Sequence, residues 1–179
     1  MIVLLAIVTL GLGGLLAAGV LRRRTAAAES LPAVLAVERI ELGGTEIRLA
    51  NLLDADDACA TAGLAERLLA AGLIRPPVLA IVSCRPDRIV RSKQSARLLP
   101  RLAAEQAFVI GHPTRSAIAE IPAGWPGAVV DLGRDLPLDE VLQAILTRIG
   151  TEASLVALGS PGGVADALLD QLRALGAQA

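Results

Sequence analysis

The densest group of chemically useful side chains lies at positions 83–94, which read Ser-Cys-Arg-Pro-Asp-Arg-Ile-Val-Arg-Ser-Lys-Gln. Arginine side chains and the amides at a helix start both bind phosphate and carboxylate groups. The sequence therefore supports two interpretations, an anion site or a solvated helix face whose first turn is capped by Asp87. The basic residues in and just after this stretch, six of the 17 in the chain, are Arg85, Arg88, Arg91, Lys93, Arg97 and Arg101.

A glycine-rich segment at 159–163 is the second candidate. It reads Gly-Ser-Pro-Gly-Gly and opens a predicted helix, so a phosphate cradle is one interpretation. It matches neither the dinucleotide-binding pattern nor the Walker pattern, and a tight strand-to-helix turn is therefore favoured. His112, the only histidine, follows a predicted strand and is expected to be a solvated loop residue.

Cysteine and aspartate residues supply the remaining candidates. Nearby arginines would lower the pKa of the Cys84 thiol, but no histidine or asparagine partner supports a nucleophile, which favours a small strand-end residue. Asp54, Asp56 and Asp57 form an acidic cluster that suits a cation or an amine, although helix capping explains it more simply. One histidine and two distant cysteines give no metal-ligand spacing, so no metal site is predicted.

The elements that would position these groups alternate between strand and helix. Strands are predicted at 34–40, 46–53, 78–82, 107–110, 128–130 and 154–158, and helices at 56–71, 91–104, 114–120, 137–149 and 164–175. This order predicts an α/β fold, a doubly wound, Rossmann-like and mostly parallel sheet with an N-terminal β-hairpin that turns at Gly43 and Gly44. Ligands bind such sheets outside the carboxyl ends of the strands.

The first 21 residues, 1–21, contain no charge, and three arginines follow at 22–24. As a helix this stretch would be about 31 Å long, enough to cross a bilayer. The basic residues follow the apolar run rather than precede it, which favours an uncleaved transmembrane anchor over a signal peptide. Because such arginines stay in the cytoplasm, we expect a single-pass cell-membrane protein with a basic cytoplasmic linker at 22–31 and a cytoplasmic domain at 32–179.

The composition of the chain excludes several classes of protein. Without the three arginines, 14 basic and 18 acidic side chains leave a net charge of −4, so we expect no nucleic acid partner. Two cysteines are too few for a disulfide scaffold, and the length suits one domain rather than several. Phe108 and Trp125 are the only aromatic residues, so the core must be aliphatic.

Residues 32–175 resemble the C-terminal domain of the poly-γ-glutamate synthase ligase subunit, a capsule-polymer enzyme related to the Mur ligases. The family carries Asn-Cys-Arg-x-Asp-Arg-x-x-Arg-x-x-Gln, and Ser83 replaces the asparagine here. A second family segment is matched by Asn51, Asp57 and Thr61, and the apolar N-terminus with basic residues after it is also similar. The residues that match the first motif are Cys84, Arg85, Asp87, Arg88, Arg91 and Gln94.

The resemblance implies a Mur-ligase C-terminal-like domain with a phosphate- or substrate-binding site and no assigned catalytic residue. Arg88 and Arg91 would contact phosphate or carboxylate, and Asp87 would hold the arginines or receive an amine. The family binds ATP through Gly-x-x-Gly-Lys-Ser/Thr in a separate central domain, whereas the only lysine here, Lys93, follows Ser92. The resemblance therefore implies ATP and magnesium only in a complete complex. The implied site residues are Arg85, Asp87, Arg88, Arg91, Asn51 and Asp57.

Three functions are consistent with these patterns. The first is a membrane-anchored accessory or split subunit of a poly-γ-glutamate synthase-like, ATP-dependent amide ligase. Such a subunit would be inactive alone and would partner a P-loop ligase chain or other membrane subunits of the synthase. The second is a non-catalytic membrane scaffold, a degenerate lobe. The third is a free-standing anion- or nucleotide-binding module. The sequence identifies neither the polymer nor the amino acid.

Overall fold

The computed structural model describes residues 37–55, 57–133 and 136–178. The strands are β1 (Glu38–Leu42), β2 (Thr45–Asn51), β3 (Val78–Cys84), β4 (Ala104–Gly111), β5 (Ala128–Gly133) and β6 (Glu152–Gly159). The helices are α1 (Ala58–Ala70), α2 (Ile89–Arg97), α3 (Arg115–Ile118), α4 (Leu138–Leu146) and α5 (Val164–Gly176). A single 3₁₀ turn, Pro86–Arg88, leads into α2.

The predicted anchor at 1–21 and linker at 22–31 lie outside the described residues. So do residues 34–36 of the first predicted strand. Within the described ranges, none of the helices combines the length and the hydropathy that crossing a bilayer requires.

The strands form one six-stranded sheet in the order β1-β2-β6-β3-β4-β5. β1 runs antiparallel to β2, and every other neighbouring pair is parallel. Gly43 and Gly44 turn the hairpin between β1 and β2 with φ values of 55° and 86°, a backbone region that favours glycine. The predicted α/β fold with a mostly parallel sheet and an N-terminal hairpin is confirmed.

Helices cover both faces of the sheet. Leu79 and Ile81 of β3 pack in an aliphatic core with side chains of α4 and α5, whereas Ala80 and Val82 point to the opposite face. Those two residues are also fully buried, because α2 packs on β3 and contacts α1 and α3 on that side. Phe108 is the only aromatic residue of the core, which is otherwise aliphatic as the composition predicts.

One predicted helix, 91–104, is wrong at both ends. α2 begins at Ile89 and ends at Arg97, and turns carry the chain through Pro100 to Ala104, where β4 starts. Pro100 has no N–H to continue a helix, and Ala103 adopts a positive φ of 50° that stops regular structure. The strand that follows is therefore longer than its predicted core at 107–110.

The path of the chain creates a crevice between β3 and β6. These strands are neighbours, but β3 leads into α2 on one face and β6 leads into α5 on the other. In open α/β sheets the point at which the chain switches direction is where ligands bind, because the two connections diverge there. The fold thus directs attention to the carboxyl ends of β3 and β6.

Candidate functional site

A cleft of about 540 Å³ lies at the carboxyl ends of β3, β4 and β6, and we call it the switch cleft. Its polar side comes from the loops after these strands, and its apolar side comes from β5, α4 and α5. This position agrees with the crevice that the fold predicts. The lining residues are Ser83, Cys84, Arg85, Pro86, Gly111, His112, Leu132, Leu136, Val141, Gly162, Gly163 and Val164.

Two glycines allow the strand ends to approach closely beneath the cleft. Gly159 has a φ of 107°, and a Cβ atom there would lie 2.4 Å from the carbonyl oxygen of Ser83. Gly111 has a φ of 83°, and a Cβ atom would lie 2.3 Å from the carbonyl oxygen of Cys84. No other residue type fits at these two positions without moving the backbone.

Arg85 joins the two loops that border the cleft. Its Nη1 donates to the carbonyl oxygen of Pro161 at 2.7 Å, and its Nε and Nη2 donate to the two carboxylate oxygens of Asp87 at 3.0 Å each. These hydrogen bonds from Arg85 hold the pKa of Asp87 below its usual range. Gly162 leaves room for this side chain, since a Cβ atom would lie 2.5 Å from Nη1.

Arg91 connects the loop after β2 to the end of β6. Its Nε donates to the carbonyl oxygen of Gly159 at 2.6 Å, and its Nη2 donates to the carbonyl oxygens of Leu53, at 2.6 Å, and Ala55. The guanidinium therefore ties the β2–α1 loop to the end of β6. The resemblance implied a ligand contact here, whereas the observed contacts give Arg91 a role in positioning the loops.

A second depression of about 460 Å³ lies between the starts of α1 and α2, and we call it the side groove. Four of the six predicted site residues line it: Asp57, Asp87, Arg88 and Arg91. Asp57 also caps α1 by accepting a hydrogen bond from the backbone N–H of Ala60 at 2.7 Å. The capping interpretation of the acidic cluster thus holds for Asp57.

The six predicted site residues do not form one constellation. Arg85 lines the switch cleft, the four residues named above line the side groove, and Asn51 lines neither. The Oδ1 atom of Asn51 accepts a hydrogen bond from the backbone N–H of Leu53 at 3.1 Å, which orders the turn after β2. Arg85, Pro86 and Asp87 separate the two depressions.

The rest of the basic cluster is paired with acids from other elements. Lys93 and Arg97 contact Glu120 at 3.4 Å and 2.6 Å, and Arg101 contacts Glu66 at 2.7 Å. Of the six basic residues, Arg88 alone is exposed with a side chain that makes no hydrogen bond or ion pair with the described residues. The charges that remain for a ligand are therefore Arg88 and the paired but accessible Arg85.

The lowered pKa considered for Cys84 is not found, which agrees with the favoured interpretation as a small strand-end residue. Burial raises the pKa of this thiol to about 11, and the charge of Asp131 adds to the rise, while a hydrogen bond with Ser92 opposes it. The neighbouring arginines point their guanidinium groups at Pro161, Asp87 and backbone carbonyls instead. Cys84 is a buried strand-end residue at the edge of the cleft.

The glycine-rich segment forms the tight turn that the sequence favoured. The backbone N–H of Gly162 donates to the carboxylate of Asp166 at 2.8 Å, so an acid of α5 itself occupies the start of that helix. A phosphate would meet this carboxylate there. His112 is exposed at the rim of the switch cleft, and its backbone N–H donates to the carbonyl oxygen of Cys84 at 3.2 Å.

The apolar wall of the switch cleft could not be predicted from the sequence. Leu136 and Val164 are 39% and 40% exposed, and Leu132 and Val141 lie behind them. Ser160 is buried, and its Oγ has no hydrogen-bond partner among the described residues. Among the residues that the structure describes, no group of three His, Cys, Asp or Glu side chains is arranged to hold a metal ion.

Comparison with family models explains the motif after β3. Residues 37–175 match the model described as the poly-gamma-glutamate synthase CapB C-terminal domain. The chain belongs to this family. The match spans every strand and nearly all of α5, so the CapB C-terminal domain accounts for the whole described sheet. A search of curated proteins finds no match.

Two solved structures are similar to this CapB C-terminal domain in fold. One is a domain assigned to a UDP-N-acetylmuramate:L-alanyl-gamma-D-glutamyl-medo-diaminopimelate ligase from Haemophilus ducreyi 35000HP, with a TM-score of 0.46 and 19% identity. The alignment covers 75% of this chain and 99% of that domain. The other is a UDP-N-acetylmuramoyl-L-alanyl-D-glutamate–2,6-diaminopimelate ligase, with a TM-score of 0.48 and 10% identity. The alignment covers 83% of this chain and 32% of that one.

Proposed function

We propose that this chain is the ligand-binding lobe of a split, poly-γ-glutamate synthase-like, ATP-dependent amide ligase. The observation that carries the proposal is the family match over 37–175, a stretch that contains no Gly-x-x-Gly-Lys-Ser/Thr loop. Lys93, the only lysine, lies on α2 and contacts Glu120. A P-loop needs a lysine that reaches the β- and γ-phosphates, so ATP and magnesium do not fit these residues alone.

In this proposal the two depressions receive the anionic parts of the ligand. Arg88, exposed beside the side groove, binds a phosphate or a carboxylate, and Arg85 offers a second cation at the switch cleft. Asp87 orients Arg85 and can accept a substrate amine. Asn51, Asp57 and Arg91 act on the ligand through the loops they order, since the hydrogen bonds described above join these side chains to backbone atoms.

The proposal includes attachment to the cell membrane. The charge-free stretch at 1–21 is the anchor, and the arginines at 22–24 keep the domain on the cytoplasmic side. A P-loop ligase chain, or other membrane subunits of the synthase, would supply the missing ATP domain. Protease added outside intact cells should spare the domain, and its digestion there would reverse this topology.

A titration tests the anion site. Isothermal calorimetry of the full chain in uncharged detergent, with inorganic phosphate and with a short γ-glutamate oligomer, should show binding. Arg88→Ala should weaken it about tenfold, as expected for the loss of a charge-assisted contact. Arg97→Ala is the matched control and should bind like the wild type, because Glu120 already occupies that guanidinium.

Two outcomes would contradict the proposal. ATP turnover by the purified chain alone would show that the ATP domain is not missing. Absence of any binding by the wild type would remove the anion site and favour the non-catalytic scaffold. The scaffold is the second candidate because five of the six basic residues in 85–101 already have partners.

A further inference from the structure

The apolar wall of the switch cleft is an ordered aliphatic surface that stays accessible. Leu132 of β5 and Val141 of α4 form its base, and both belong to the aliphatic core of the domain. Leu136 and Val164 lie in front of them and are exposed. Water is released from such a surface when hydrocarbon covers it, and this release favours the binding of an apolar group.

The cation of this cleft is Arg85, which lines it from the loop after β3. A guanidinium carries five N–H donors, and Asp87 and Pro161 accept three of those of Arg85. One N–H on each of Nη1 and Nη2 remains for a ligand, and the side chain is 40% exposed. No acid is among the described residues that line the cleft, so none of these side chains repels an anion.

The cation and the wall lie close together in the loop between β6 and α5. The carbonyl oxygen that accepts from Nη1 of Arg85 belongs to Pro161, and Val164 of the wall comes three residues later. Three residues span at most about 11 Å, which is the length scale of a short alkyl chain. Gly162 and Gly163, which lie between them, add no side chain to the cleft. One ligand can therefore reach Arg85 with its charge and Val164 with its hydrocarbon.

We infer that the switch cleft binds an aliphatic carboxylate, with the carboxylate on Arg85 and the hydrocarbon chain against Leu136 and Val164. A carboxylate suits this cation better than a phosphate monoester does. One guanidinium that is already shared with Asp87 balances a single negative charge rather than nearly two. The cleft volume of about 540 Å³ lies within the range of small-ligand sites. The anion is the one that the proposed function places at Arg85, so the assignment rests on that function and adds the hydrocarbon requirement.

Titration of the full chain with straight-chain carboxylates tests the role of the wall. Isothermal calorimetry in uncharged detergent compares acetate, butyrate and hexanoate at constant ionic strength. Full burial of a methylene group would raise the affinity about fourfold, and in this open cleft we expect about twofold for each group. Hexanoate should thus bind at least about tenfold more tightly than acetate. Arg85→Gln should weaken the binding of all three, because the carboxylate loses its charged partner.

Val164→Thr replaces a methyl group of the wall with a hydroxyl group of similar size. It should lower the ratio of hexanoate affinity to acetate affinity at least about threefold, because a polar group then faces the hydrocarbon. Val129→Thr is the matched control, since Val129 is also 40% exposed but lies on β5 outside the cleft lining. Its ratio should equal that of the wild type. The same micelles are present with every variant, so partition of hexanoate into detergent cancels in this comparison.

Two results would overturn the inference and leave the proposed function standing. One is an affinity that does not rise with chain length although inorganic phosphate or the γ-glutamate oligomer binds. The other is an advantage of hexanoate over acetate that survives unchanged in Val164→Thr, because the hydrocarbon would then lie elsewhere on the surface. Absence of binding by every anion would instead remove the proposed function, and the inference with it.

Discussion

The Nε atom of Arg91 on α2 donates to the carbonyl oxygen of Gly159, the last residue of β6, at 2.6 Å. The same guanidinium reaches Leu53 and Ala55 beyond the end of β2. One arginine thus connects three segments of the chain near the carboxyl ends of the strands, where both depressions lie. The ligand geometry of the domain depends on this side chain, whether or not it contacts the ligand.

Arg91→Ala should lower the free energy of unfolding by about 2–4 kcal/mol, because partly buried carbonyl oxygens lose a charged donor. Arg91→Lys should recover less than half of the loss, since an ammonium cannot reproduce the planar fork. Arg88→Ala, on the same stretch but without a partner, should change the free energy by less than about 0.5 kcal/mol. Denaturant unfolding followed by the fluorescence of Trp125 measures all three, and equal effects at 88 and 91 would contradict this role.

Gly159→Ala should destabilise the domain by more than about 2 kcal/mol. The added methyl group would meet the carbonyl oxygen of Ser83, and the φ of 107° strains any other residue type. Gly63→Ala is the control, and we expect it to change the free energy of unfolding in the opposite direction. Gly63 lies inside α1 with nothing within 4 Å of the added atom, so alanine should stabilise by about 0.5–1 kcal/mol. A neutral Gly159→Ala would show that β3 and β6 can separate.

The two cysteines should differ sharply in reactivity. At about pH 8 a disulfide reagent such as Ellman's reagent should modify exposed Cys59 and leave Cys84 intact, because the thiolate is the reactive form. The pKa of Cys84 is about 11, so its thiolate population should rise only as the pH approaches that value. Mass spectrometry after timed quenching identifies the modified residue. Rapid modification of Cys84 in the folded Cys59→Ser variant would refute its burial.

Glu120 should contribute to stability at neutral pH and lose that contribution in acid. Hydrogen bonds from Arg97 and Lys93 hold its pKa below the ordinary value of 4.5. A depressed pKa in the folded state stabilises above the unfolded value, and the contribution falls as the pH drops below about 4.5 through the folded value.

The wild type should therefore lose more stability between about pH 5 and pH 3 than Glu120→Gln, which cannot titrate. Glu105→Gln is the control, since Glu105 is exposed and makes no ion pair with the described residues. Urea unfolding at a series of pH values measures the difference. Parallel pH profiles for the wild type and Glu120→Gln would show that the contacts with Arg97 and Lys93 do not persist in solution.

The alternation of strands and helices could be predicted because each element carries a local signal. The apolar run at 78–82 predicted a strand, and all seven residues of Val78–Cys84 are buried. The glycine pair at 43–44 predicted the hairpin. The segment after α2 misled the prediction because alanine and leucine do not distinguish a helix from a turn, and the strand start at Ala104 is decided by pairing with β3.

The chemistry of the candidate site was less predictable, because it depends on partners distant in sequence. Glu120 and Glu66, which neutralise three members of the basic cluster, lie 23 to 35 residues from them along the chain. The carbonyl oxygens that engage Arg91 carry no sequence signal, since every residue has one. The arginines near Cys84 raised the alternative of a lowered pKa, which the structure does not show, because charge is visible in a sequence and burial is not.

The position of β6 within the sheet has a consequence for synthesis of the protein. This strand is the last in the chain, yet it lies between β2 and β3. Until residue 159 has left the ribosome, both of those strands present an unpaired side, and Arg91 lacks one of its acceptors. The domain therefore completes its sheet only after β6 has been synthesised, and a nascent chain stalled before β6 is a target for chaperones rather than a smaller folded unit.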